Sequence, residues 1–375
     1  MNRVLFVLGT RPELIKLIPL IKVYKSDADY QTQVCITSQH QELLHDLFPF
    51  FDFDYDFDLK VMRENQSLTT SLTKILNGLN DLFLTEKPEL IFVQGDTNTA
   101  FAGALFGYQN KIKVVHIEAG LRSNDIWSPF PEEGNRKLIS QICQYHFCST
   151  NDAKQNLLKE NITENVFVVG NTVIDTLIQT IAKIQRNRDF YIDAFRKMGI
   201  DFSQKVLLVT LHRRENFGIP LERICETIRK FANDNPNSQF VIPIHPNQNG
   251  KYIEQTLSGY DNIKIIQALT YDLFVFLLNE SFILLTDSGG IQEEAITSNK
   301  PLLILRENTE RPEVVQLGAG ILVHYDEELI ISNLNRLHND SSFYANMVNK
   351  INPFGDGSAS NQIKTQIEAH ETHLL

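Results

Sequence analysis

Apolar runs of strand length recur along almost the whole chain, each followed by a stretch with helical spacing. Val4–Leu8 comes first, then Gln33–Thr37, Glu89–Gln94, Lys113–Glu118, His146–Ser149 and Val166–Val169. A second series follows with Val206–Thr210, Phe240–Ile244, Ile263–Ile266, Phe282–Thr286, Leu302–Leu305 and Ile321–Val323. Strands apolar on both faces and separated by helices belong in parallel sheets that are covered on both sides. Two such series predict an α/β protein of two doubly wound parallel-sheet domains, with a hinge near Gly170–Asn171. A length of 375 residues suits two domains of this kind. The segment Phe51–Leu59 alternates aromatic residues with Asp, which predicts an extended edge segment with rings inward and carboxylates in water.

Composition narrows the class of partner. Thirty-five Lys and Arg against 46 Asp and Glu leave a net charge of −11. That balance disfavours nucleic acid and anionic membrane surfaces, which select a basic face. No stretch approaches the roughly 20 apolar residues of a membrane span. The apolar run Val4–Leu8 is too short for a signal peptide. The four Cys (35, 143, 148 and 225) are scattered and show no CxxC spacing, which reads as reduced thiols in a cytoplasmic protein.

The polar residues gather where strands end, and open parallel sheets bind ligands beyond those carboxyl ends. The clusters are GTRPE (9–13), QGDT (94–97), HIEAGLR (116–122), HRREN (212–216), HPN (245–247) and DSGG (287–290). Six clusters on two sheets point to a cleft between the domains. The turn at Gly9 lacks the GxGxxG form, and no such motif or Walker motif occurs elsewhere. That argues against a tightly held nicotinamide, so the reading calls for no cofactor and no metal. Arg11 and Lys16 fit either an anion site or an ordinary charged helix start. Ser288-Gly289-Gly290 joins an apolar strand to a helix, a turn whose backbone N–H groups can approach a phosphate. Glu293 and Glu294, one turn on, fit a ribose hydroxyl or simple capping. In SPFPEEGNR (128–136), Glu132 and Arg136 are four apart and share a helix face. With Asp96 and Glu118 at strand ends, Glu132 would complete a carboxylate rim that divides acid and base roles. His212, at the next strand end, fits a general acid or a phosphate partner.

Taken in order, GTRPELIK (9–16), QGDT (94–97), HIEAGLRS (116–123), SPFPEEGNR (128–136), GNTVID (170–175), HRREN (212–216), TDSGGIQEEA (286–295), TERPE (309–313) and NPFGDGSAS (352–360) resemble the non-hydrolysing UDP-N-acetylglucosamine 2-epimerases. The resemblance implies the GT-B arrangement, two Rossmann-like domains with the active site between them. It implies a first domain of residues 1–170 plus a returning helix within 355–375, and a UDP-binding domain of 171–354. It also implies a homodimer and interconversion of UDP-GlcNAc with UDP-ManNAc for cell-surface polysaccharide synthesis. Asp96, Glu118, Glu132 and His212 match the family's catalytic candidates. Arg11, Lys16, Arg136, Phe274, Ser288, Gly289, Gly290, Glu294 and Arg311 match its substrate-binding positions, Glu294 at the ribose and Phe274 near the uracil. Departures are Leu211 before the HRREN motif, Gln362 after GDG, and Gln41 and Asn65 where relatives often carry Arg. The last two fall in segments that line an allosteric UDP-GlcNAc site in some members.

Overall fold

The structure is a computed structural model that describes residues 2–38, 47–61, 66–84, 87–213, 216–244 and 248–371. The chain divides into two compact units, 1–176 with 353–375, and 177–352.

The first unit is built on a parallel sheet. Its strands are β1 (Asn2–Leu8), β2 (Tyr30–Ile36), β3 (Phe57–Asp58), β4 (Leu90–Gln94), β5 (Lys113–Ala119), β6 (Tyr145–Cys148) and β7 (Val166–Val168). Their spatial order is β3-β2-β1-β4-β5-β6-β7, with every pairing parallel. Val4 to Leu8 are fully buried, as the absence of any polar residue in that run requires. The Phe6 and Phe92 rings of neighbouring strands stack at 4.5 Å. The crossover helix Arg11–Lys25 starts on a capping box between Thr10 and Glu13 and places Lys22 and Lys25 in its last turn. Pro19 lies inside that helix without ending it.

The second unit repeats the plan with β8 (Lys205–Thr210), β9 (Ser238–Ile244), β10 (Ile263–Gln267), β11 (Ile283–Thr286), β12 (Leu302–Ile304) and β13 (Gly320–Leu322). The order is β10-β9-β8-β11-β12-β13, again all parallel. Each sheet therefore reverses its winding once, between β1 and β4 and between β8 and β11. At such a switch point the neighbouring strand-end loops turn apart and leave a crevice.

The first unit continues through Thr176. The reason is local: Asn171 N donates to Phe354 O at 2.6 Å and Thr176 Oγ1 donates to Ile15 O, so both remain bonded to the first unit. Gly170 itself packs backbone to backbone, since a Cβ there would sit 2.7 Å from Phe354 O. The helix Ala359–His370 also belongs to this unit, where Lys364 pairs with Asp27 at 2.7 Å and buried Glu371 accepts from Lys113. In the alternating aromatic–Asp segment, only Phe57–Asp58 pairs as strand, after a helical turn at Leu47–Phe51. Not all of its carboxylates face water. Asp56 accepts from Val34 N at 2.7 Å, and Asp58 accepts from Ser38 Oγ.

Candidate active site

In the first unit the site grows from the β1/β4 switch point. The turn after β1 is pinned by Glu13, a fully buried carboxylate that accepts from Gly9 N (3.0 Å), Thr10 N (2.7 Å) and Thr10 Oγ1 (2.8 Å). Its other oxygen accepts from Thr97 Oγ1 at 2.6 Å, which ties the turn after β1 to the turn after β4. Burial raises the pKa of Glu13, and these four donors partly offset that. Gly9 is close-packed: a Cβ would lie 2.2 Å from Thr37 Oγ1 and 2.4 Å from Thr99 Oγ1.

Asp96 stands in the β4 turn so fixed. Its Oδ2 accepts from Arg136 Nε at 2.8 Å, while its backbone carbonyl accepts from Asn135 Nδ2 at 2.8 Å. Arg136 reaches on to Glu133 Oε2 at 3.1 Å, and Glu133 also accepts from Ser123 N at 3.0 Å. Among the described residues, the carboxylate bonded to Arg136 on its own helix is thus Glu133 and not Glu132. Helical neighbours lie three or four residues apart, and the i,i+3 pair forms here because Glu133 faces the interior. Glu132 opens the helix Glu132–Ile142 and is partly exposed.

Glu118 lies at the end of β5, next to β4 in the sheet. The β5/β6 register slips between Ile117 and Ala119, which makes Glu118 the bulged residue, and its φ is +63°. A bulge re-aims a side chain, and a left-handed backbone at a non-glycine residue persists only where its surroundings hold it. Those surroundings are explicit. Lys16 Nζ and Gln94 Nε2 both donate to Glu118 Oε2, and Asn171 Nδ2 donates to Oε1 at 3.3 Å. Lys16, expected beside the nucleotide, is thus bonded to a carboxylate of the first unit. His116, two residues before Glu118, is buried, and burial pulls its imidazole down to about 4. The neutral ring keeps a proton on Nε2 for Gly95 O at 2.8 Å, bracing the turn that carries Asp96. Arg11 occupies the first position of its helix and is partly exposed.

In the second unit the residues collect at the β8/β11 switch point. The helix Gly289–Thr297 begins straight after β11 with Ser288 as N-cap and no side-chain hydrogen bond closing it. A Cβ on Gly290 would meet open space; one on Gly289 would lie 3.7 Å from Arg213 Nη2 and 3.9 Å from Arg311 Cζ. A Cβ on Gly289 would also lie 3.9 Å from Glu310 Oε2, so the helix N-terminus presents backbone N–H donors between two guanidinium groups and a carboxylate. Arg311 is held by Glu293, and Arg213 lies 3.6 Å from Glu310. Glu293 is therefore committed to Arg311. Glu294, a residue further on, is also buried. Phe274, partly buried, sits in the first turn of the helix Tyr271–Glu280 that follows β10. His212 ends the β8 turn against Asp287. Leu211 packs against this unit's core, and Gln362 Nε2 donates to Ser358 Oγ at 2.8 Å.

The structure thus brings Asp96, Glu118, Lys16 and Arg136 together in one unit, and His212, Ser288, Gly289, Gly290 and Arg311 in the other. Arg214, Glu215, His245–Asn247, Gln41 and Asn65 lie outside the described residues. Four supporting residues had no individual role in the sequence reading: Gln94, Glu133, Asn171 and Asp287. Asp287 left one signal, a carboxylate directly after an apolar strand and before a glycine turn. Glu133 left another, its i,i+3 spacing to Arg136.

Comparison with known proteins places the whole chain in one family. The profile of the family described as UDP-N-acetylglucosamine 2-epimerase matches residues 22–368. The chain is 42% identical to a UDP-N-acetylglucosamine 2-epimerase of Yersinia pestis, covering 99% of this chain and 100% of the relative. A crystal structure of UDP-GlcNAc 2-epimerase from Neisseria meningitidis bound to UDP-GlcNAc superposes with a TM-score of 0.92 at 42% identity. That match covers 98% of this chain and 100% of the other. A UDP-GlcNAc 2-epimerase from Methanocaldococcus jannaschii in complex with UDP-GlcNAc and UDP superposes with a TM-score of 0.83 at 35% identity, with 98% and 100% coverage.

Proposed function

The chain belongs to the UDP-N-acetylglucosamine 2-epimerase family, and from that premise we propose that it interconverts UDP-GlcNAc and UDP-ManNAc by inversion at C2. The C2 hydrogen of an N-acetylhexosamine is not alpha to a carbonyl, so direct deprotonation has no stabilised carbanion to form. Elimination avoids that difficulty. One carboxylate takes the C2 proton as the C1–O bond breaks toward the diphosphate, leaving 2-acetamidoglucal and UDP. UDP then adds back while C2 is protonated on the opposite face.

One observation carries the reading. Asp96 and Glu118 stand at the ends of adjacent strands, each on its own cation, Asp96 on the Arg136 guanidinium and Glu118 on the Lys16 ammonium. Two carboxylates in different fixed environments suit an acid and a base acting on opposite faces of one carbon. In this proposal Asp96 and Glu118 move the protons, Glu132 participates or positions, and His212 serves the diphosphate. Arg11, Arg311 and the Ser288–Gly290 turn bind UDP, with Glu294 at the ribose and Phe274 near the uracil. Lys16 and Arg136 hold the two carboxylates beside the sugar. The proposal extends to a cytoplasmic homodimer whose product enters cell-surface polysaccharide synthesis. Among the described residues no helix is long and apolar enough to cross a membrane.

The test is incubation with UDP-GlcNAc alone in heavy water, followed by NMR. UDP-ManNAc carrying deuterium at C2, formed without added NAD, supports the proposal. Release of free ManNAc, or unchanged substrate, refutes it. Asp96→Asn is expected to abolish turnover while UDP still binds; loss of UDP binding would make Asp96 structural instead.

A further inference from the structure

His212 has half of its side chain in solvent, yet one ring nitrogen lies against a buried carboxylate. Nδ1 lies 2.8 Å from Asp287 Oδ1, and the Asp287 side chain is fully buried. The second oxygen, Oδ2, accepts from His212 N (2.9 Å), Arg213 N (2.9 Å) and Asn216 Nδ2 (2.8 Å). Burial opposes the charge on Asp287, but His212 and these backbone donors outweigh it and hold the carboxyl below its ordinary range. An ionised carboxylate this close to a ring nitrogen requires a proton on that nitrogen. The neutral ring is then the Nδ1–H tautomer, and Nε2 is the atom left for a ligand. The next three residues are Ser288, Gly289 and Gly290. One buried carboxylate therefore holds the imidazole and the open helix N-terminus in a single frame.

We propose that Asp287 is a positioning residue for the reaction. It fixes His212 as the Nδ1–H tautomer, so that Nε2 addresses the departing nucleoside diphosphate. Protonated, His212 offers that oxygen a charged N–H while Asp287 balances the second proton. The step balances: the C2–H electrons form the C1–C2 double bond, the proton goes to a carboxylate, and the C1–O pair leaves on the diphosphate oxygen that Nε2–H stabilises. Arg213 and Arg311 supply charge around Gly289, whereas His212 supplies a directed donor. The role rests on the epimerase reading above; the tautomer does not.

The experiment uses the full chain labelled with nitrogen-15. Ring spectra recorded at pH 8, where an ordinary imidazole is neutral, identify each tautomer, with His212 assigned by its loss in His212→Gln. The wild-type signal is expected to be Nδ1–H. In Asp287→Asn the amide oxygen can keep the three donors of Oδ2, and its NH2 then faces Nδ1 and forces the Nε2–H form. Removal of a carboxylate that orients a histidine is expected to lower kcat at least about 10-fold while the Kd for UDP stays within about threefold. A purely structural role would instead lower stability and UDP affinity together. An Nε2–H ring in the wild type overturns the proposal, and so does a folded Asp287→Asn that loses less than about 10-fold in kcat. If that variant does not fold, the wild-type spectrum decides the tautomer by itself. An Nδ1–H ring in a wild type that does not turn over UDP-GlcNAc overturns the epimerase reading and the role in it, and leaves the ring geometry supported.

Discussion

Acid should destabilise the first unit through His116, and the effect can be sized. Burial lowers this imidazole from 6.5 to about 4 because the charged form would lose its hydration. The folded state therefore resists protonation while the unfolded chain accepts it. A histidine with a depressed folded pKa contributes stability above pH 6.5, and that contribution is lost as pH falls toward 4. The linked free energy is about 2 kcal/mol at pH 5 and saturates at about 3 kcal/mol below both pKa values. Urea unfolding at pH 8, 6 and 5, followed by far-ultraviolet circular dichroism, measures it. The control is His116→Gln, whose amide can still donate to Gly95 O but does not titrate. Between pH 8 and 5 the wild type should lose about 2 kcal/mol more than this variant. Equal losses would refute the reasoning, since they would mean that His116 binds its proton equally well in the folded and unfolded protein. The consequence reaches the site, because the bond from His116 Nε2 to Gly95 O braces the turn of Asp96.

Three further outcomes follow from packing and charge. Gly9→Ala forces a methyl group onto Thr37 Oγ1 and Thr99 Oγ1, so thermal unfolding should show a loss of about 1–3 kcal/mol. Glu133→Gln leaves Arg136 without its buried anion; kcat should fall at least about 10-fold as Asp96 loses its fixed partner, with a lower midpoint in urea. Glu371→Ala removes the carboxylate that binds Lys113 and Tyr145, and should cost roughly 2 kcal/mol, read by urea unfolding of the variant and the wild type.

Much of the architecture was legible before any coordinates, for a physical reason. Strands such as Val4–Leu8 and Leu90–Val93 have no polar face, so only a sheet covered on both sides can bury them. The capping box between Thr10 and Glu13 is equally local, a relation between residues three apart, although it went unread in the sequence. The polar clusters were legible as strand ends, because each directly follows an apolar run, and a parallel sheet opens its crevices at the carboxyl ends. The alternating aromatic–Asp segment was read less well, because two of its carboxylates find hydrogen-bond donors on the β2 strand and just beyond it.

The sequence alone, then, determined two doubly wound sheets and the family to which the motifs belong. It could not determine which carboxylate meets which cation. Glu132 and Glu133 are equivalent by helical spacing to Arg136, and only the packing of one helix face turns Glu133 inward. Lys16 is 102 residues from Glu118, and Asp287 is 75 from the His212 backbone; no local pattern joins them. The bulge that aims Glu118 exists only in the pairing of β5 with β6. Local preferences act over a few residues, whereas an ion pair or a bulge is decided by whatever the finished sheet places alongside it.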